Sequence, residues 1–294
     1  MRKTGFIAIV GRPNVGKSTL LNAILGEKVS IISNKPQTTR NRVTGIHNVG
    51  DCQYVFLDTP GMLKPRNLLG DYMARTADQT MREADAVILV ADVNKPISVA
   101  EENVIAYLKE SGTGSILAIN KIDLSTRERL AGTIAAYAEL HDFDAVVPIS
   151  AKKSKNIDIL LEECKNFLTE SEWYFPEDML TDQPERQIAA EIIREKLLRT
   201  LNQEVPHGIA VVIEEFSDEE KLISVRAEIF CERQSHKKII IGKGGAALKL
   251  AGTYAREELE RFFDKKVYLD LWVKVKENWR ENAGMVRNFG YRDE

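Results

Sequence analysis

The chain has 294 residues, 44% of them hydrophobic, enough for a substantial core and, at this length, for two domains. Its 41 Lys and Arg stand against 44 Asp and Glu, a formal charge of -3, which excludes a polycation held to nucleic acid by bulk charge; any basic surface has to be local. Cys52, Cys164 and Cys231 are too few and too far apart for a disulfide framework or a metal or redox motif, and no apolar run approaches the roughly 20 residues of a membrane-spanning helix. A reducing, cytoplasmic setting is expected.

Residues 6–10 (FIAIV) predict a strand, too short for a secretion signal, and Leu20, Leu21, Ala23, Ile24 and Leu25 predict a helix. Between them lies GRPNVGKST: Gly11, Arg12, Pro13, Asn14, Val15, Gly16, Lys17, Ser18 and Thr19. Strand, glycine-bounded loop and helix in this order suit a phosphate chain, because backbone N–H groups turn inward and the helix adds its positive end. The pattern G-x-x-x-x-G-K-[ST] gives Lys17 the β- and γ-phosphates and the Ser18 hydroxyl a magnesium ion. A turn that merely packs strand on helix is the alternative, and the later motifs decide against it.

Residues 33–45 are polar and proline-interrupted, as in a mobile loop. Thr38 and Thr39 both offer hydroxyls that can close over a γ-phosphate and its magnesium; spacing does not separate them, and Thr39 is the one assigned to the metal. Residues 43–49 and 54–57 predict two strands, the second ending in Asp58, Thr59, Pro60 and Gly61. A carboxylate at that strand end can hold magnesium through water, and the Gly61 N–H can meet the γ-phosphate. Met62 stands where the better-known switch GTPases place a glutamine, and its thioether cannot orient a water. Residues 63–83 are polar and intermittently helical, suiting a second switch. Strands are expected at 86–90 and 115–119, with a helix over 98–110 between them.

The strand over 115–119 runs into Asn120, Lys121, Ile122 and Asp123. A carboxylate there can accept from the N1–H and exocyclic amino group of guanine, an edge adenine lacks; Asn120 braces the loop and the Lys121 stem lies along the ring. A strand over 146–149 leads to Ser150, Ala151 and Lys152, whose backbone can meet the guanine oxygen, and a helix over 157–167 closes the domain. Alternating strands and helices predict an α/β, doubly wound, largely parallel sheet with its ligand at the carboxyl ends of the strands. The motif set resembles the translation-factor class of P-loop GTPases, and within it the group holding the Era family and the tRNA-modification GTPase. The resemblance implies Mg2+-dependent hydrolysis of GTP to GDP. It also implies that Asn14 binds a K+ ion supplying the charge an arginine finger gives elsewhere, with a hydrophobic residue, here Met62, replacing the glutamine. Catalysis is thus assigned to Asn14, Lys17, Thr39 and Gly61, and magnesium to Ser18, Thr39 and Asp58.

Residues 171–185 mix aromatics, acids and prolines and read as a linker between a GTPase domain over 1–170 and a second domain over 186–276. Helical spacing over 185–202, strands over 208–214 and 223–230, a helix, Gly242, Lys243, Gly244 and Gly245, a second helix and a strand over 267–275 follow. A G-x-x-G turn between helices can clamp a nucleic-acid backbone, although by itself it more often marks one helix ending and another beginning. Ile241 before it, Lys237, Lys238 and Lys249 around it, and twelve Lys and Arg against seven Asp and Glu over 231–280 favour the clamp. This half resembles an α+β type II KH domain, and the pairing of the two halves resembles the Era family of ribosome-assembly GTPases. The resemblance implies 16S ribosomal RNA, near its 3′ end, and the small (30S) ribosomal subunit as partners. The chain is expected to be a monomer without an obligate protein partner, and peripheral attachment to the inner face of the cell membrane is compatible with the sequence. The competing reading is a signalling GTPase whose second domain docks a protein or a membrane. The tail over 277–294 is expected to pack its aromatic rings.

Overall fold

The structure is a computed structural model that describes residues 1–201 and 208–292. Packing divides the chain into two units, one of Met1–Ser30, Thr39–Lys64 and Met73–Asp182, the other of Ile31–Thr38, Pro65–Tyr72 and Gln183–Glu294. No helix among the described residues is long and apolar enough to cross a membrane.

In the first unit, β1 (Lys3–Val10) lies between β3 (Cys52–Asp58) and β4 (Ala86–Asp92), and β5 (Gly114–Asn120) and β6 (Ala145–Pro148) continue the parallel sheet. An antiparallel strand, β2 (Val43–Val49), forms one edge, and the short β7 (Thr169–Glu170) pairs with the start of β1. Every residue of β3 and β4 is buried, as unbroken apolar runs require when helices cover both faces. On one face, Leu20, Leu21 and Ile24 of α1 (Lys17–Leu25) and Leu160 and Cys164 of α5 (Ile157–Lys165) pack against the sheet. On the other, Met81 of α2 (Leu68–Glu83), Val104, Ile105 and Leu108 of α3 (Val99–Ser111) and Tyr137 of α4 (Arg127–Ala138) do so. The sheet is doubly wound. Its register pairs Ile9 with Asp58 and Asp92 with Asn120, which brings the polar residues that end each strand to one edge.

Two helices differ from the sequence reading. No helix is predicted between 123 and 146, because Tyr137 is the one fully buried residue of α4 and no apolar stripe is written there. Over 63–83, α2 is continuous from Leu68: Leu69, Tyr72, Met73, Ala77 and Met81 form a buried stripe that the intervening charges conceal. Residues 171–182 lie along the sheet edge. Buried Gln53 accepts from the Tyr174 and Phe175 amides (2.9 and 3.1 Å), Ile46 N donates to the Leu180 carbonyl (2.9 Å), and Thr181 donates to that of Thr44 (2.7 Å). The backbone of β2, which an edge strand leaves exposed, is thereby covered.

In the second unit, α6 (Glu185–Thr200) precedes an antiparallel pair, β8 (Ala210–Asp218) and β9 (Leu222–Cys231); then come α7 (Gln234–Ile241), α8 (Ala246–Phe263) and β10 (Lys266–Val275), which pairs parallel with β9. Ile188, Ile192 and Leu197 of α6 and Ala251, Ala255 and Leu259 of α8 share one core with Val225, Ala227, Ile229 and Val267 of the sheet. Asn202, which the helical spacing includes in α6, and residues 293–294 of the tail lie outside the described residues. The tail turns back: Trp279 is fully buried, donates from Nε1 to the Gly208 carbonyl at 2.9 Å and stacks on Tyr291, while Phe289, just after α9 (Ala283–Asn288), stacks on Phe230.

Replacing Trp279 by Ala is expected to destabilise this unit by about 3–5 kcal/mol, the range for emptying a large buried aromatic site. Urea unfolding followed by a label on α8 measures it, with no change expected in nucleotide binding.

Candidate functional site

The loop between β1 and α1 is built to receive an anion. Gly16 caps α1 with φ 104°, no side chain caps that end and no acid occupies its first turn, so the helix N–H groups stay open to a ligand. Lys17, buried within the loop, donates from Nζ to the carbonyls of Gly11 and Arg12, both at 3.1 Å. Two of its three donors are thereby used by described residues, and the third is available to an incoming oxygen. Burial pulls the Lys17 ammonium down to about 8, opposed by the charge of Asp58.

Three oxygens gather beside it. Ser18 Oγ donates to Asp58 Oδ2 at 2.7 Å and lies 2.9 Å from Thr39 Oγ1. Ser30, absent from the sequence reading, also donates to Asp58 Oδ2, at 3.0 Å. Asn22 holds Ser30 there, accepting from the amides of Val29 and Ser30 and donating to the Ser30 carbonyl. The signal for it was an asparagine interrupting the apolar face of α1. Asp58 Oδ1 is buried with no hydrogen-bond partner among the described residues, and burial raises the carboxyl above its ordinary value against the pull of Lys17, Ser18 and Ser30. The Thr38 hydroxyl donates instead to the Lys35 carbonyl at 2.6 Å, so Thr39 is the threonine that faces Ser18.

The turn after β3 is fastened to the loop. Thr59 Oγ1 donates to the Ile9 carbonyl at 2.9 Å and Met62 N to that of Gly11 at 3.2 Å. Gly61 lies so close to Pro13 that a Cβ would come within 2.9 Å of its backbone, which limits this position to glycine. At the end of β5, Asn120 Nδ2 donates to the Val15 carbonyl at 2.8 Å, while Oδ1 accepts from the amides of Lys121 and Ala151 at 2.7 and 3.0 Å. Lys121, with φ 68°, reaches the Asn14 carbonyl at 2.7 Å and Asp92 Oδ2 at 2.8 Å. Asp92 went unread because its strand looks complete without it. Asp123 Oδ1 accepts from Ser150 Oγ at 2.6 Å, the Ile122 amide bonds the Ile149 carbonyl, and Lys152 is exposed beside them. Asn14 is exposed, with φ 63°.

In the second unit, α7 carries Lys237, Lys238 and Ile241, and the turn to α8 has Gly242, Gly244 and Gly245 at φ 75°, 59° and 82°, conformations that side chains strain to adopt. Lys243 and Lys249 are exposed. Beside the turn opens a groove of about 370 Å³ lined by Gly245, Leu248, Lys249, Gly252, Arg256 and Leu271 among others. Gly245 and Lys249 were legible from the motif; the remainder arise only when one face of α8 meets β10. A groove with apolar walls, a basic rim and a glycine turn suits unstacked bases and their phosphates.

Asn120→Ala leaves one buried carbonyl and two amides without their partner and is expected to destabilise the nucleotide-free first unit by about 3 kcal/mol. Chemical unfolding of the variant, monitored over the sheet, checks this.

A family model described as 50S ribosome-binding GTPase matches residues 6–121, and one described as KH domain matches residues 204–280. The chain is 47% identical over 291 residues to the GTPase Era of Ruminiclostridium cellulolyticum, covering 99% of this chain and 98% of that one, and 49% identical over 294 residues to the GTPase Era of Clostridium novyi, covering both completely. A solved Aquifex aeolicus Era variant bound to GDP.AlF4- superposes with a TM-score of 0.95 at 43% identity, over 99% of this chain and 100% of that one. An Era complex with MgGDPNP and nucleotides 1506–1542 of 16S ribosomal RNA does so at 0.96 and 42%, over the whole of each chain. With a phosphate loop, a guanine-type edge and a KH fold in one chain, and relatives alike from end to end, the chain belongs to the GTPase Era family.

Proposed function

We propose that this chain is a GTP-hydrolysing switch that grips 16S ribosomal RNA near its 3′ end and assists assembly of the small ribosomal subunit. The observation that carries the nucleotide half is the convergence of Ser18, Thr39 and Asp58 oxygens beside the buried Lys17 ammonium. Hard oxygen donors and an orphaned buried carboxylate oxygen fit magnesium, a cation of small radius that takes oxygen ligands. Ser18 and Thr39 would hold it, with Asp58 behind them; bound there, it supplies charge neutralisation to the phosphates. Lys17 and the amides of the loop hold the phosphate chain, Gly61 offers its N–H to the γ-phosphate, and Asp123 accepts from guanine while Asn120 and Lys121 keep the two loops together. Ser150, Ala151 and Lys152 close the base edge.

Met62 cannot orient the attacking water, so charge stabilisation must come from elsewhere. Asn14, exposed on the loop with its carbonyl tied to Lys121, presents a neutral amide oxygen that fits potassium, and we assign K+ to it. Asn14→Ala should remove potassium stimulation of hydrolysis while GTP affinity stays within about threefold. Single-turnover hydrolysis in potassium against sodium reads this, and equal wild-type rates in both would remove the ion from the mechanism.

The RNA half rests on the groove beside Gly242, Lys243, Gly244 and Gly245, with Lys237, Lys238, Ile241 and Lys249 around it, and on the relative crystallised with 16S ribosomal RNA. We divide the chain into a GTPase domain over 1–170, a linker over 171–185, a KH domain over 186–276 and a tail over 277–294. Three buried free thiols suit a cytoplasmic protein, with attachment to the inner membrane face, where it occurs, peripheral. Segments Ile31–Thr38 and Pro65–Tyr72, which flank Thr39–Lys64 in sequence, pack within the C-terminal unit, which supports control of RNA grip by nucleotide state. A 3′-terminal 16S fragment should bind more tightly with a non-hydrolysable GTP analogue than with GDP. Lys243→Ala and Lys249→Ala should each lower the slope of log affinity against log salt by about 0.7. Binding that ignores salt or both lysines would point to a protein or membrane partner instead.

A further inference from the structure

Glu101 is a carboxylate where none is expected: in the first turn of α3, wholly buried, 0% exposed. Helix starts favour acids, but those acids normally stay in water. Part of its environment is an ordinary capping box, since Oε2 accepts from both the amide and the hydroxyl of Ser98 at 2.8 Å. A capping box uses one oxygen and does not require burial. The other oxygen, Oε1, faces the Arg12 guanidinium at 3.2 Å, an ion pair outside hydrogen-bond alignment. Tyr137, 1% exposed on α4, lies beside the same carboxylate; burial first, then the Glu101 charge, pushes its phenol up and keeps it protonated. One carboxylate thus gathers the start of α3, the end of α4 and the second residue of the phosphate loop.

Arg12 matters because of its backbone: its carbonyl is one of the two that receive the Lys17 ammonium. The same loop is held at Asn14 by Lys121 and at Val15 by Asn120. Glu101 supplies the anchor on the remaining side. We propose that Glu101 is a positioning residue for nucleotide binding, holding Arg12, and through the Arg12 carbonyl the Lys17 ammonium, in the place the phosphates need. This rests on the reading of residues 11–19 as the phosphate loop. Glu101 touches no substrate and acts wholly through the loop's shape. Because Lys17 serves GDP and GTP alike, loss of the anchor weakens both, raising KM more than it lowers kcat.

The experiment measures release of a fluorescent GDP from full-length protein, wild type and variants, together with thermal midpoints. Wild-type binding tests the phosphate-loop reading independently of the variants. Glu101→Gln should speed release about tenfold for GDP and for a non-hydrolysable GTP analogue alike. Arg12→Ala should do the same, and the double variant should release no faster than either single one, because both remove one link. Thr126→Ala, which removes the cap of α4 away from the loop, should lower the thermal midpoint without changing release. Should Glu101→Gln not fold, Tyr137→Phe removes the phenol packed beside the carboxylate and should speed release to a smaller extent, while Arg12→Ala still reads the other end of the pair. Unchanged release in Arg12→Ala and in whichever of Glu101→Gln and Tyr137→Phe folds, effects that multiply in the double variant, or equally fast release in Thr126→Ala each overturn the proposal.

Discussion

Lys17 and Asp58 are both buried, and burial pushes each toward its neutral form while the opposite charge of the other resists. A buried pair of this kind is poor as a source of stability, since the desolvation of two ions offsets most of their attraction. Its value lies in what it leaves unsatisfied: one Lys17 proton and one Asp58 oxygen without protein partners among the described residues. A phosphate oxygen and a divalent cation, in the roles proposed for this site, would satisfy both at once.

The site is held by strand ends. Parallel strands covered on both faces must stop abruptly, and their last residues turn polar where the helices no longer cover them. Asp58, Asp92 and Asn120 each end a strand, and their side chains bond residues of neighbouring elements: Ser18 and Ser30 for Asp58, Lys121 for Asp92, Val15 and Ala151 for Asn120. Side chains at these strand ends fix the loop's backbone from outside, at Val15 through Asn120 and at Asn14 through Lys121, which Asp92 holds. Glycine at 61 lets the turn after β3 approach Pro13, which a larger residue would prevent.

Residues of the kind that nucleotide and metal chemistry would fix, in type and spacing together, were the legible part of the chain: Gly11 to Thr19, Asp58 to Gly61 and Asn120 to Asp123, whose loops the fold fastens to one another. Supporting residues were not. Ser30, Asp92 and Glu101 each act through a neighbour distant in sequence, and a lone serine or acid carries no pattern. The fold followed the same division. Strands with unbroken apolar runs were plain, whereas α4 buries one large side chain and so writes no stripe, and α2 hides its stripe among charges. The groove beside the glycine turn showed the same limit: its walls belong to α8 and β10, and only packing makes Leu248 and Leu271 neighbours.

The second unit holds charge in an equally unusual place. Arg194, Glu195 and Lys196 are consecutive on α6 and all buried, Lys196 pairing with Glu195 and Glu258. Glu195 also accepts from the Ile32 amide at 2.9 Å, Arg199 donates to the Ile32 carbonyl at 3.0 Å, and Arg194 donates to the Thr38 carbonyl. Segment Ile31–Thr38 is thus held at both ends by side chains of α6. Withdrawing it would strip buried charged groups of partners, a cost far above that of freeing a surface loop. The segment is therefore fastened to α6 through buried charges rather than draped over it as a surface loop.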